Sequence, residues 1–258
     1  MLFINTRPED RAVSLTQALS NAGYEVENLP LLELVDEPWN DALQQLYQQL
    51  EQVQVIVVVS PTAVDMGMRY LQRAGVHLDQ LAHIQWIAVG QTTAQALAKF
   101  HIRAVVPEVE TSEGMLELPI LKQQKNVQKI AFWRGLGGRQ FMMQQLQQQG
   151  VVVLNFVLYR RECPVASQTQ FVNICAKASS GQQIVVLITS EASWNNWQQL
   201  CEKKIIDVEW IYLVLGERLR KIVEHTQSQL SNTVNIIQLE SLSASEIIQR
   251  MKDWQGNV

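Results

Sequence analysis

The sequence has little of what most metal and redox chemistry requires. Its three cysteines, Cys163, Cys175 and Cys201, lie far apart, form no C-x-x-C pair and have no histidine cluster beside them. That spacing suggests neither a disulfide framework nor a zinc site, and reduced, partly buried thiols are expected. His77, His83, His101 and His225 share no metal-ligand spacing, so no metal site is expected. A Lys/Arg stripe is also missing. The 21 basic residues are outnumbered by 25 acidic ones, for a formal net charge of −4, which argues against nucleic acid as the main partner. No apolar run approaches the length of a membrane span, and Met1–Ile4 gives way to Asn5-Thr6-Arg7 too soon for a signal-peptide core. A soluble, cytoplasmic protein is the expectation.

What is present is ordinary globular material, 47% hydrophobic and 18% charged, enough for two modest domains or one large one. Two stretches organise it. Val55-Ile56-Val57-Val58-Val59 runs into Ser60-Pro61-Thr62, and Trp86-Ile87-Ala88-Val89 runs into Gly90-Gln91-Thr92-Thr93. Continuous β-branched runs without polar alternation suit strands covered on both faces, hence a parallel sheet under helices. Ligands of such sheets sit beyond the carboxyl ends of the strands, where helix N-termini offer N–H groups to anions. Ser60, Thr92 and Thr93 occupy such positions. Ser60, Thr92 and Ser112 also suit plain helix N-caps, and capping and binding are compatible.

Elsewhere the pattern alternates strand and helix. Leu2–Arg7 reads as a strand and turn, Ala12, Leu15, Leu19 and Ala22 as one helix face closed by Gly23, and Tyr24–Leu29 as a strand. Pro30–Leu34 reads as an extended connector, and Trp39–Gln52 as a helix. Trp194 and Trp197 follow Ser190 on a helix, where core packing is the favoured role. The glycines after Arg134 do not complete G-x-G-x-x-G, because position 140 is Gln140.

The chain then repeats itself. At a nearly constant offset, Asn5–Gly23 is echoed by Phe132–Gly150, Val58-Val59-Ser60 by Ile188-Thr189-Ser190, Ala88-Val89-Gly90 by Val214-Leu215-Gly216, and Thr111–Leu116 by Ser243–Ile248. Preserved order over four elements indicates a duplicated α/β unit. Arg7 and Arg134 hold equivalent places at strand ends. The simplest arrangement gives one domain from residues 1–34 and 163–258 and another from 37–160, joined by linkers at about 33–37 and 159–163.

Six segments carry a family resemblance: Thr6-Arg7-Pro8, Ser60-Pro61-Thr62-Ala63-Val64, Val89-Gly90-Gln91-Thr92-Thr93-Ala94, Thr111-Ser112-Glu113-Gly114, Arg134-Gly135-Leu136-Gly137-Gly138-Arg139 and Val157-Leu158-Tyr159-Arg160. In order and over the whole length they resemble the markers of the uroporphyrinogen-III synthases. The resemblance implies an α/β fold of two flavodoxin-like or Rossmann-like three-layer domains with parallel sheets, a two-stranded linker and a cleft between. It also implies a cofactor-free lyase that closes hydroxymethylbilane to uroporphyrinogen III, losing water and inverting ring D. Such chemistry depends more on holding a conformation than on strong acids or bases.

A polycarboxylate substrate and a net-acidic protein are reconciled if main-chain N–H groups at strand-to-helix turns hold the carboxylates, helped by hydroxyls and a few arginines. The substrate-binding candidates are Arg7, Ser60, Gly90, Thr92, Thr93, Ser112, Arg134, Gly135, Ser190 and Gly216, the glycines allowing close backbone approach. The family pattern places Tyr159 where its hydroxyl could assist the leaving hydroxyl group; its other role would be an amphipathic ring covering the linker. In the second copy Gly216 is followed by Glu217-Arg218-Leu219, and Glu217 would repel a carboxylate unless Arg218 offsets it. The expected partner is the small linear tetrapyrrole, bound by a monomer. The rival reading is a two-lobed binding or sensor protein without turnover.

Overall fold

In a computed structural model of the chain, residues 1–122, 127–138, 140–202, 207–229 and 235–256 are described. The chain opens with β1 (Leu2–Asn5), α1 (Glu9–Asn21), β2 (Glu25–Asn28) and β3 (Glu33–Asp36). It continues through α2 (Asp41–Gln48), β4 (Val55–Val58), α3 (Pro61–Arg73), β5 (Gln85–Ala88), α4 (Gln91–Ala98), β6 (Ala104–Val105), α5 (Ser112–Leu116) and α6 (Pro119–Lys122). Next come β7 (Lys129–Gly135), α7 (Phe141–Gln148), β8 (Val152–Glu162), α8 (Val165–Lys177) and β9 (Gln182–Ile188). The last elements are α9 (Glu191–Glu202), β10 (Val208–Leu215), α10 (Gly216–Gln229), β11 (Asn235–Leu239) and α11 (Ala244–Gln255).

The chain divides into two compact units, one of residues 1–33 and 162–258 and the other of residues 34–161. In the first unit the sheet order is β11-β10-β9-β1-β2, with every neighbouring pair parallel. In the second the order is β3-β8-β7-β4-β5-β6, and from β8 to β6 all pairs are parallel. When partners in the repeat are matched, β2-β1-β9-β10-β11 and β8-β7-β4-β5-β6 are one and the same spatial order. The duplication read in the sequence is therefore a duplication of topology.

Strand alternation explains why both faces of each sheet are covered. Ile56 and Val58 of β4 join a cluster with Tyr47, Trp133 and Phe156, while Val55 and Val57 join one with Phe132, Met142 and Leu146 on the opposite face. In the first unit Leu2 and Ile4 pack with Trp194 and Trp197, and Phe3 packs with Leu15 and Leu19. The two tryptophans are fully buried, and the indole N–H of Trp197 donates to the Tyr212 hydroxyl at 3.1 Å, so they are core residues.

Local signals set the helix ends. Gly23 follows α1 with φ +89°, the left-handed turn that favours glycine. Two boundaries differ from the sequence reading. The helix expected over Trp39–Gln52 is α2 followed by a separate 3₁₀ turn, Leu50–Gln52. The connector expected after Pro30 contains β3, which lies beside β8, and Glu37 N–H donates to Leu158 C=O at 3.0 Å. Among the described residues no helix is long and apolar enough to cross a membrane.

In each sheet the chain reverses its direction of strand addition once. In the second unit this switch falls between β4 and β7, so the segments leaving those strands, beginning at Val59 and at Leu136, diverge to form a crevice. In the first unit it falls between β1 and β9, where the Thr6 hydroxyl donates to Leu187 C=O and ties the two strand ends together.

Candidate functional site

The crevice at the switch point of the second unit is a pocket of about 260 Å³. Its walls bring together Ser60 from the end of β4, Arg134 and Gly135 from the end of β7, Tyr159 from β8 and Ser112 from the start of α5. The floor is apolar and rich in sulfur, with Phe132, Met115, Met142 and Met143.

Ser60 is a helix cap as well as a wall. Its backbone is extended and its Oγ accepts from Ala63 N–H at 3.0 Å, while Pro61 occupies a first-turn position where no N–H is needed. The same Oγ lies 2.9 Å from the Tyr159 hydroxyl. Tyr159 is itself held from several sides. A register shift between β7 and β8 sets Tyr159 opposite Gly135, and Leu136 N–H donates to Tyr159 C=O at 2.6 Å. Irregularities of this kind re-aim side chains beside functional sites. A Cβ on Gly135 would stand 2.5 Å from the Tyr159 ring, so only glycine lets the ring lie there. Above the ring, the Arg161 guanidinium carbon is 5.7 Å from its centroid.

Arg134 is buried, and its hydrogen-bond partners among the described residues are neutral. It donates to the carbonyls of Gly135 (3.2 Å), Gly137 and Gly138 (3.4 Å), and touches Met143 Sδ at 3.7 Å. No carboxylate pairs with it among the described residues. Burial pulls its pKa below the ordinary guanidinium value, and the nearby Tyr159 hydroxyl works against that shift. Arg139, at the end of the same motif, lies outside the described residues.

The other expected residues are placed differently. Gly90, rather than Thr92, is the cap position of α4, and Thr111, rather than Ser112, caps α5 through Gly114 N–H at 3.1 Å. The cap is the last residue with extended backbone, and here that residue comes before Thr92 and Ser112. Thr92 is exposed and Thr93 is buried in the first turn of α4, and neither lines the pocket. The N-terminus of α4 is already occupied by an anion of the chain itself: Glu110 Oε1 accepts from Gln91 N–H at 2.9 Å. A Cβ on Gly90 would meet that carboxylate at 2.2 Å, so the backbone approach that Gly90 permits is made by Glu110.

Arg7, Ser190 and Gly216 belong to the first unit. Ser190 Oγ accepts from Ser193 N–H at 3.1 Å, and Gly216 opens α10 with φ +76°. The condition left open in the sequence, that Arg218 offsets Glu217, is resolved by the ion pairs each one makes elsewhere. Arg218 pairs with Glu191 at 2.7 Å, and Glu217 pairs with Lys221 one turn along its own helix at 2.7 Å. One turn of helix brings residues four apart together, whereas consecutive residues such as Glu217 and Arg218 do not face each other.

Sequence reasoning passed over Glu110 and Arg161. Strand alternation could have found Arg161, since residues two apart on β8 share a face and it therefore lies on the side of Tyr159. Arg160, between them, reaches Glu37 at 3.5 Å. For Glu110 no signal existed, because its role depends on how the loop before α5 folds back.

The comparisons with known proteins agree on one family. A model of the family described as uroporphyrinogen-III synthase HemD matches residues 13–227. A uroporphyrinogen-III synthase of Proteus mirabilis is 29% identical over 168 residues, covering 62% of this chain and 80% of that protein. Among solved structures, a mutant selenomethionine uroporphyrinogen-III synthase from Thermus thermophilus aligns over 100% of both chains at 15% identity, with a TM-score of 0.62. A uroporphyrinogen-III synthetase from Helicobacter pylori covers 100% of this chain and 99% of its own at 14% identity, with a TM-score of 0.54. At such identities the two structures speak for the fold.

Proposed function

The chain belongs to the uroporphyrinogen-III synthase family, and from that premise we propose that the switch-point pocket of residues 34–161 is where it handles the leaving hydroxyl of its substrate. The activity is that of a hydro-lyase of tetrapyrrole biosynthesis, which closes hydroxymethylbilane to uroporphyrinogen III. Water is lost and ring D is inverted through a spirocyclic pyrrolenine. The observation that carries the site reading is the 2.9 Å contact between Ser60 Oγ and the Tyr159 hydroxyl in a pocket that also holds the Arg134 guanidinium.

In this reading the lone pair of the terminal pyrrole nitrogen expels the hydroxyl, and Tyr159 donates its phenolic proton so that water departs. One lone pair of Ser60 Oγ is taken by Ala63 N–H. With the Ser60 proton donated to the phenol oxygen, the phenol's own proton points into the pocket. Because the pyrrole supplies most of the driving force, the acid is asked for less than the roughly 10²–10⁴-fold typical of general acids. Arg134 and Ser112 would hold a carboxylate arm in the same pocket. Arg7, Ser190 and Gly216 are proposed as the contribution of the other domain, with residues 1–34 and 163–258 forming that domain, 37–160 its counterpart, and 33–37 and 159–163 the linkers.

The acting form is proposed to be a cytoplasmic monomer. Supporting this are three cysteines held as thiols and large exposed apolar residues, such as Val13, Val109 and Val165, that are scattered along the chain. Light scattering of the purified protein tests the oligomeric state. For the function, purified protein is mixed with hydroxymethylbilane and the isomers are separated after oxidation. Isomer III is the expected product, and isomer I alone would sink the reading.

A further inference from the structure

Size and charge in the pocket of the second unit restrict what it can take. Pockets that enclose a drug-sized ligand run to roughly 300–1,000 Å³. At about 260 Å³ this one is too small for four linked pyrroles and suits a single ring with its arms. The described lining residues include two guanidiniums, Arg134 and Arg161, and no carboxylate. One ring of the substrate carries two carboxylates, one acetate and one propionate. The charges therefore balance ring by ring, although the chain as a whole has a net charge of −4.

The two arginines are not equivalent. Arg134 is buried and fixed by the carbonyls of Gly135, Gly137 and Gly138, so it loses little freedom on meeting an anion. Arg161 is exposed at the rim and rests on the Tyr159 ring, able to swing onto a second carboxylate. Below them, the thioethers of Met115, Met142 and Met143 offer the soft, polarizable contacts that aromatic rings favour.

We propose that this pocket is a one-ring subsite that takes a single pyrrole by its acetate and propionate, through Arg134 and Arg161 together. The identity of that ring, the terminal one bearing the hydroxymethyl group, rests on the reading of Tyr159 as the acid; the subsite itself does not. Two guanidiniums read a ring with two carboxylates and discriminate against esters or decarboxylated arms. Truncation of either one weakens binding without moving the ring elsewhere.

The test uses the full chain and a monopyrrole carrying one acetate and one propionate, with its dimethyl ester as control. Binding is followed by backbone amide NMR, so that no turnover is needed. Saturable shifts at Ser112, Gly135, Gly137 and Gly138 are expected with the diacid, and none with the diester. Arg134→Met and Arg161→Met should each weaken the diacid by roughly tenfold or more, the loss of one charged hydrogen-bonded contact. Arg161 is exposed, so its variant reports even if Arg134→Met fails to fold. Shifts outside the pocket, equal binding of the diester, or unchanged affinity in Arg161→Met would overturn the proposal. The isomer assay fails independently: diacid binding at these amides with no effect of Tyr159→Phe on closure would retain the subsite and remove the assignment of its ring.

Discussion

Ser60 and Tyr159 are 99 residues apart in sequence, and their hydroxyl oxygens lie 2.9 Å apart. One ends the strand beside the switch point and caps a helix; the other stands on the neighbouring side of β7, on β8. The pair exists only because the sheet order places β7 between β4 and β8. Phenylalanine at Tyr159 would keep the ring and remove the proton donor. Tyr159→Phe should lower kcat by about 10–100-fold, below the roughly 10²–10⁴-fold typical of a general acid because the pyrrole supplies most of the push, with KM moved by less than about twofold. Single-turnover measurement of isomer III formation reads both. A raised KM with kcat intact would make Tyr159 a binding residue instead.

Ser60 has two duties, and glycine separates them. Glycine at an N-cap costs only a few tenths of a kcal/mol, whereas alanine costs about 1 kcal/mol. Ser60→Gly should therefore melt close to the parent protein yet lose much of the rate that Tyr159→Phe loses, and the double variant should be little worse than either single one. Additive losses would show that the two hydroxyls act separately.

Gly135 is required by the ring of Tyr159 rather than by a turn. A Cβ there would lie 2.5 Å from a ring that is 2% exposed and has little room to yield. Gly135→Ala should cost about 1–3 kcal/mol, the usual penalty for overpacking, and reduce kcat with it. Urea unfolding and the isomer assay on one preparation check both effects.

The parts of the fold legible in the sequence are those governed by local chemistry or by repetition. Continuous runs such as Val55–Val58 read as buried strands because no polar residue interrupts them, and the repeat's preserved order anticipated two sheets of the same strand order. Of the expected site residues, Ser60, Arg134 and Tyr159, read from the strands and their ends, are among those that line one pocket. Cap positions were off by two at Thr92 and by one at Ser112, since a cap is set by where the backbone stops being extended, at Gly90 (φ −161°) and Thr111 (φ −135°). Hydroxyl preference alone pointed past both. Contacts across loops, such as Glu110 on α4 or Glu191 with Arg218, depend on three-dimensional paths that periodicity does not encode.

Cys201 gives the first unit a pH signature. Burial, helped by Cys175 and Glu202, pushes its thiol from an ordinary 9.0 up to about 12. A group whose folded pKa is raised contributes stability that is fully present below its unfolded pKa and is lost as pH rises through the folded one. Tyr212 is shifted in the same direction by the same cause. Melting temperature should fall from about pH 9 towards pH 12, and Cys201→Ala should make that fall shallower. An equally steep fall in the variant would remove Cys201 from the account.

Glu110 sets the last expectation, because its carboxylate stands where a substrate carboxylate would bind if α4 receives one. The contact with Gln91 N–H is 2.9 Å and exposed, so it holds the helix end by roughly 0.3–1 kcal/mol and can be displaced by a better-placed anion. Glu110→Gln keeps an acceptor for Gln91 but removes the charge. If the N-terminus of α4 takes a substrate arm, removing this competitor should lower KM by about two- to fivefold while the melting temperature drops slightly, since the gain is limited by the weak contact it replaces. An unchanged KM would mean that Glu110 is a cap and nothing else. Gly90, Thr92 and Thr93 would then leave the binding site, and the anion-holding duty of this unit would fall to Arg134 and the turns around it.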